Sequence, residues 1–297
     1  MATAFCPAHI TGFFKAELDK KDSKQLGSLG AGFSIQKGVK TTVTIRNKTK
    51  HDISNFTIKV NGFESGNMRV SEVVLSKFST KGKFVDIIHE IDVPVGYGFG
   101  SSAAVALSLS IALNDALECK LSKIKVAQIA HDVEIECKTG LGDVLASYYG
   151  GFEIRDKPGA PGIGHVQKIT LDKISIIMIC FSPISTSKFI KEKLSQINGL
   201  GGKMVNELLE SKNYEHFQEM SLEFAKYVNV MTPRMQKVVN QLSKNNIKCG
   251  IALFGETIFS MVPKEKENNV LEILEKFSDG IIIKSKLDDT GARILYN

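Results

Sequence analysis

Apolar and polar residues alternate with a period of two along much of the first ninety residues, which is the signature of strands with one buried face. Residues 2–14 read as a strand that turns near Pro7, and 39–46 and 55–60 as strands of alternating Val, Thr and Ile. Asn61-Gly62 is a turn signal, and a further strand over 83–93 leads into Pro94. Three glycines in 26–32 predict a flexible loop. The period then changes. Residues 101–117 are small and apolar on all sides and predict a buried helix, and 122–138 predicts a second helix with Ile124, Ala127, Ala130 and Ile135 on one face, stopped at Gly140.

Two prolines and three glycines in 157–164 place a domain boundary just beyond, giving expected domains 1–165 and 166–297. The second half opens on an unbroken apolar run, 174–181, expected as a buried central strand. Helices are predicted over 203–211, 214–229, 232–245 and 265–277, strands over 248–254, 257–262 and 280–284, and a final segment over 287–297. Strands and helices mixed in both halves give an α/β (α+β) class, and 297 residues suit two domains.

Composition narrows the class. With 43% apolar and 24% charged residues the chain is an ordinary globular one. The net charge of +6 suits an anionic small molecule, and the scattered Lys and Arg, without Trp, do not make a nucleic-acid surface. Five cysteines without a CxxC pair support neither a disulfide framework nor a zinc site, so reduced thiols and a cytoplasmic location are expected. The opening residues show no signal-peptide pattern, and the longest apolar stretch, 103–113, is too short for a membrane span.

The densest chemical signal is Pro94, Gly96, Gly98, Gly100, Ser101, Ser102, Ala103 and Ala104. Glycines let a ligand approach the backbone, and the helix start behind them offers unpaired N–H groups and a positive dipole end. The two hydroxyls stand where a phosphate oxygen or its Mg²⁺ would be. No Gly-Lys-Ser/Thr ends the loop, and its third glycine comes too early for a dinucleotide fingerprint. Downstream, His131 and Glu134 share a helix face, and Asp143 follows a glycine break as the expected N-cap of a helix over 144–149. Glu134 offers the hard oxygen Mg²⁺ prefers, or pairs with Lys138 on the helix surface. Asp143 offers a base for a hydroxyl proton.

The glycine loop resembles the central motif of the GHMP kinase superfamily, with Phe99 in place of its Leu. Three further segments, Ala4 to Phe14 with Ser28 to Phe33, Lys138 to Arg155, and Gly291 to Arg293, are similar to the archaeal pantoate kinase branch. The resemblance implies a two-domain fold, with an N-terminal ribosomal-protein-S5-like nucleotide domain and a C-terminal ferredoxin-like domain. It implies ATP and Mg²⁺, with the ion on Ser102 and Glu134, Asp143 as base, and pantoate as acceptor in coenzyme A synthesis. A homodimer, without nucleic-acid or membrane partners, is implied as well. Arg155 is the candidate carboxylate clamp, with Ser28, His131 and Thr186 as further acceptor ligands. A homoserine or mevalonate kinase would share the phosphate residues, and a non-catalytic nucleotide-binding regulator is the alternative of another class. The family's third glycine-rich motif is degenerate here, with only Gly250 and Gly255 in 248–257, and no ligand role is assigned to it.

Overall fold

The computed structural model describes residues 1–63, 68–184 and 186–296, with the backbone alone at 186, 187 and 189. A seven-stranded sheet carries the first half. Its spine is a long antiparallel hairpin of β1 (Ala2–Glu17) and β2 (Gly27–Asn47). The second half of β2 pairs with β4 (Lys83–Ile91), which takes β3 (Phe56–Gly62) in parallel across α1 (Arg69–Ser76). The first half of β2 pairs with β5 (Phe152–Lys157), and β5 with β6 (His165–Ile169). Helix α2 (Ser101–Ala116) lies against β1 and β2, flanked by α3 (Lys123–Cys137) and the short α4 (Asp143–Tyr149).

The second sheet has the order β10-β7-β9-β8, from β7 (Ile174–Pro183), β8 (Gly250–Ala252), β9 (Gly255–Pro263) and β10 (Ile281–Ser285). As its apolar run predicts, β7 is internal. Ile176, Met178 and Cys180 face the main core, and Ile177 and Ile179 face α7 (Pro233–Lys244) and α8 (Glu267–Leu274). The last strand, β11 (Arg293–Leu295), returns to the first sheet beside β1. The two sheets meet on α6 (Tyr214–Tyr227): Phe217 packs against Phe13, Phe33 and Phe152 of the first sheet and Phe259 of the second.

Four local expectations are corrected. Residues 26–32 are not a flexible loop, since all but Leu26 belong to β2. Their glycines clear space rather than give freedom: a Cβ at Gly32 would sit 2.5 Å from the His9 ring. Pro7 makes no turn, because β1 absorbs it in a register shift between Pro7 and Ala8. Helix α5 (Thr186–Ser211) begins well before 203, and Gly201 within it lets the helix seat directly on the Phe14 carbonyl. Strand β6 lies where only a boundary was read.

Candidate active site

The chain leaves β4 at Ile91, passes the buried Pro94 and enters the glycine loop. Gly96 and Gly98 both have φ of +86°, which only glycine adopts readily. Gly100, with φ of 55°, is the N-cap of α2, so Ser101 and Ser102 lie in its first turn and Ala103 and Ala104 are fully buried behind them. Three hydrogen bonds to its carbonyls fix the loop. His9 N–H donates to the Phe99 carbonyl at 3.1 Å and Ile184 N–H to that of Gly96 at 3.0 Å. The Thr257 hydroxyl donates to the Tyr97 carbonyl at 2.8 Å. A Cβ on Gly98 would stand 2.5 Å from the Leu253 carbonyl oxygen. The helix start therefore faces a cavity of about 370 Å³ bounded by Gly96, Gly98, Ser101, Ser102, Thr11 and Asp143. A more apolar cavity of about 180 Å³, between Val60, Ile91, Val95 and Val105, adjoins it through Ser101 and Ser102.

Two carboxylates flank the loop. Glu134 projects from α3 and is 2% exposed, while Glu136 points outward to Lys77. The Thr139 hydroxyl donates to Glu134 Oε1 at 2.5 Å, and Oε2 is buried without a hydrogen-bond partner. Burial pushes the Glu134 carboxyl up to about 7. Asp143 is not the N-cap of α4. Gly142 is, and Asp143 is the first helical residue, its side chain turned to β1.

There it meets His9, a fully buried residue whose ring joins two acids. Nδ1 lies 2.8 Å from Asp143 Oδ1, and Nε2 lies 3.2 Å from Glu153 and 3.4 Å from Arg155 Nη1. The Thr11 hydroxyl adds a longer bond to Asp143 at 3.4 Å. Burial lowers the basicity of His9, but the Glu153 charge and the bonds to both acids outweigh it against the opposing Arg155, and the net direction is up. Burial raises the Asp143 carboxyl, and the bond to His9 with the charges of His9 and Arg155 reverses this, so it lies below the usual carboxylate range. The Asp143 carboxylate is thus held against the His9 ring, with Arg155 nearby.

Glu153 and Arg155 stand on the face of β5 opposite Phe152 and Ile154, and each is 1% exposed. Arg155 Nη1 pairs with Glu153. Nη2 makes only a 3.5 Å contact to Thr11, and Nε is buried without a partner. The free Nε–Nη2 edge lies beside Gly142 and the Ser28 hydroxyl: a Cβ at Gly142 would fall 2.3 Å from Ser28 Oγ and 2.9 Å from Arg155 Nε. Thr11, Phe14, Ser28, Leu141, Asp143 and Ile190 enclose a pocket of only about 10 Å³, the room of a single water, beside the larger cavity.

Comparison with known proteins gives the family. Residues 68–151 match the GHMP kinases N terminal domain. A pantoate kinase of Methanocaldococcus jannaschii is 34% identical over 277 residues, 91% of this chain and 96% of its own length. The chain belongs to the GHMP kinases, in their pantoate kinase branch. A second pantoate kinase, from Thermococcus kodakarensis, is 28% identical over 91% of both chains. A solved structure described as a phosphotransferase related to the CoA biosynthesis pathway superposes with a TM-score of 0.85 at 26% identity, covering 98% of this chain and 97% of its own.

In this GHMP kinase the residues read from sequence do not all converge. Gly96, Gly98, Gly100, Ser101, Ser102 and Asp143 line the larger cavity and Ser28 and Asp143 the tight pocket, whereas Pro94 and Ala103 are buried behind the loop, Glu134 reaches the cavity wall through Thr139, and Arg155 lies behind Gly142. His131 does not line either one: it is 2% exposed and its Nε2–H donates to the Ser23 carbonyl at 3.1 Å, pinning the turn that precedes β2. Ser28 sits on a strand rather than on a closing loop. Thr186 is the first residue of α5, and its side chain lies outside the described residues. His9, Thr11 and Glu153 carried no sequence assignment. His9 lay inside the resembling segment at the start of the chain, but the acids it joins are 134 and 144 residues away. Among the described residues no helix is long and apolar enough to cross a membrane.

Proposed function

We infer that this chain transfers the γ-phosphoryl group of ATP to the terminal hydroxyl of (R)-pantoate, giving ADP and 4-phosphopantoate. The observation that carries this is the position of Asp143. It lines both the glycine-loop cavity and the tight pocket that contains Ser28, and the unpartnered Nε of Arg155 lies just behind that pocket's Gly142. The glycine loop and the start of α2 receive the phosphates, with backbone N–H groups and the dipole end directed at them. The apolar cavity next to Ser101 receives the base.

The acceptor carboxylate takes the Nε–Nη2 edge of Arg155, a planar donor pair suited to two carboxylate oxygens, with Ser28 beside it. The pocket has to widen to admit the acceptor, whose dimethyl carbon then packs against Phe14, Leu141 and Ile190. This leaves the primary alcohol at Asp143, which orients it and takes its proton as the bond to phosphorus forms. His9 keeps the carboxylate ionised and fixes the oxygen it binds, leaving Oδ2 for the alcohol.

The donors fit Mg²⁺. Glu134 Oε2 is a buried oxygen without a partner, and the Ser102 hydroxyl lies in the adjacent first turn of α2. Both are hard ligands, and phosphate and water oxygens complete such a shell. Ser102 and Glu134 would hold the ion, which when bound neutralises charge on the β- and γ-phosphates.

The test is ADP release with ATP and Mg²⁺ against pantoate, pantothenate, homoserine and mevalonate. Turnover with pantoate alone is expected. Turnover with homoserine or mevalonate and not with pantoate would refute the acceptor assignment while leaving the phosphate site intact.

A further inference from the structure

The degenerate glycine segment near the C-terminus holds one bulky residue in a backbone conformation that bulky residues avoid. Phe254, in the turn between β8 and β9, has φ of +68°. Glycine is the usual occupant of such a turn position, and a strained side chain there persists only where its surroundings over-determine it. Here they do so from two sides. Leu253 N–H donates to the Thr11 carbonyl at 3.0 Å. On the other side Gly255 and Thr257 seat against the Tyr97 carbonyl, Gly255 with no room for a Cβ.

The strained turn sends the ring to a particular place. Thr11, Asp143 and Phe254 are the described residues common to the linings of the phosphate cavity and the acceptor pocket. Thr11 and Asp143 are bonded to each other, so Phe254 is the apolar member of the three where the two spaces meet. Its ring lies 5.5 Å from that of Phe14, which also lines the acceptor pocket.

We propose that Phe254 is a specificity-determining residue: it walls the junction of the two cavities, packs on the dimethyl carbon of the acceptor and keeps water from the γ-phosphate. This rests on the acceptor pocket assigned above. It gives the degenerate segment a purpose, in that it carries an aromatic ring into the reaction space instead of a phosphate ligand.

The test compares the wild type with Phe254→Gly and Phe254→Asn. Both replacements tolerate the left-handed backbone, so the turn is kept while the wall is removed. Melting temperatures establish that each is folded, and Asn serves should Gly loosen the turn. Two quantities are read: kcat/KM for pantoate relative to 2,4-dihydroxybutanoate, which lacks the two methyl groups, and ADP release with no acceptor. In both variants the preference for pantoate is expected to fall by about tenfold or more, the scale at which a pocket reads small apolar groups. Acceptor-free ADP release is expected to rise relative to pantoate turnover. Folded variants that keep the wild-type preference and show no added ADP release would overturn the proposal. If the wild type does not phosphorylate pantoate at all, the acceptor reading fails by itself, and the acceptor-free arm still decides whether Phe254 excludes water.

Discussion

At the scale of single residues the centre of the site is a buried relay of opposite charges, Asp143, His9, Glu153 and Arg155. His9 does not touch either cavity; it acts through Asp143. Replacing it by Gln leaves the Asp143 carboxyl with its burial and only the Arg155 charge and the long Thr11 bond to offset it. The acid limb of kcat/KM is then expected to move up by about one pH unit or more, the usual effect of losing an adjacent opposite charge. Stability should follow the same pair. The raised His9 contributes fully below its ordinary 6.5 and is lost progressively as pH rises through its folded value. The lowered Asp143 contributes above its ordinary 3.8 and is lost as pH falls below it. The melting-temperature gap between wild type and His9→Gln is therefore expected to be widest between these two values and to narrow at alkaline pH. Arg155→Lys tests the carboxylate edge: KM for pantoate should rise by about tenfold or more, with KM for ATP little changed, since an ammonium cannot present two parallel donors. Ser102, Glu134 and Asp143 were legible in the sequence because loop, helix and turn follow one another within about fifty residues. His9, Thr11 and Glu153 were not, because β1, α4 and β5 come together only through the sheet.

At the scale of elements, glycine was the residue most open to misreading. Glycines usually signal loops, but those of β2 lie in a strand and make room for His9 and Arg155, which the local pattern does not reveal. Helix α5 was read short for a related reason: its interior glycines weaken helix propensity, and contact with β1 overrides that preference. The glycine loop itself was legible as a turn into a buried helix, since its pattern is local. What was not local is its brace, the β8–β9 turn against Tyr97 and Gly98. Gly98→Ala should therefore act twice. It forces a side chain onto φ of +86° and against the Leu253 carbonyl. A loss of about 1–3 kcal/mol of stability is expected, along with a rise in KM for ATP larger than any change in KM for pantoate. Unchanged KM for ATP in a folded variant would remove the loop from the phosphate site.

At the scale of the whole molecule, the two sheets are joined through one aromatic cluster centred on Phe217, and β11 ties the end of the chain back to β1. A cleft that must present ATP and acceptor from both sides gains its geometry from that shared core. Phe217→Ala is expected to cost about 3–5 kcal/mol and to lower a single calorimetric transition; loss of only one of two separate transitions would show that the halves unfold independently. The alternation of β1 to β4 and the apolar run of β7 made the two sheets legible, whereas the contacts of Phe13 and Phe33 with Phe217 join residues more than a hundred positions apart. The account as a whole stands on Asp143 as the group that takes the proton of pantoate's primary alcohol. The most direct measurement is kcat for pantoate in Asp143→Asn, with ATP affinity measured alongside. The expected result is a fall in kcat of about a hundredfold to ten-thousandfold with ATP affinity kept. Near-normal kcat in a folded Asp143→Asn variant would contradict it.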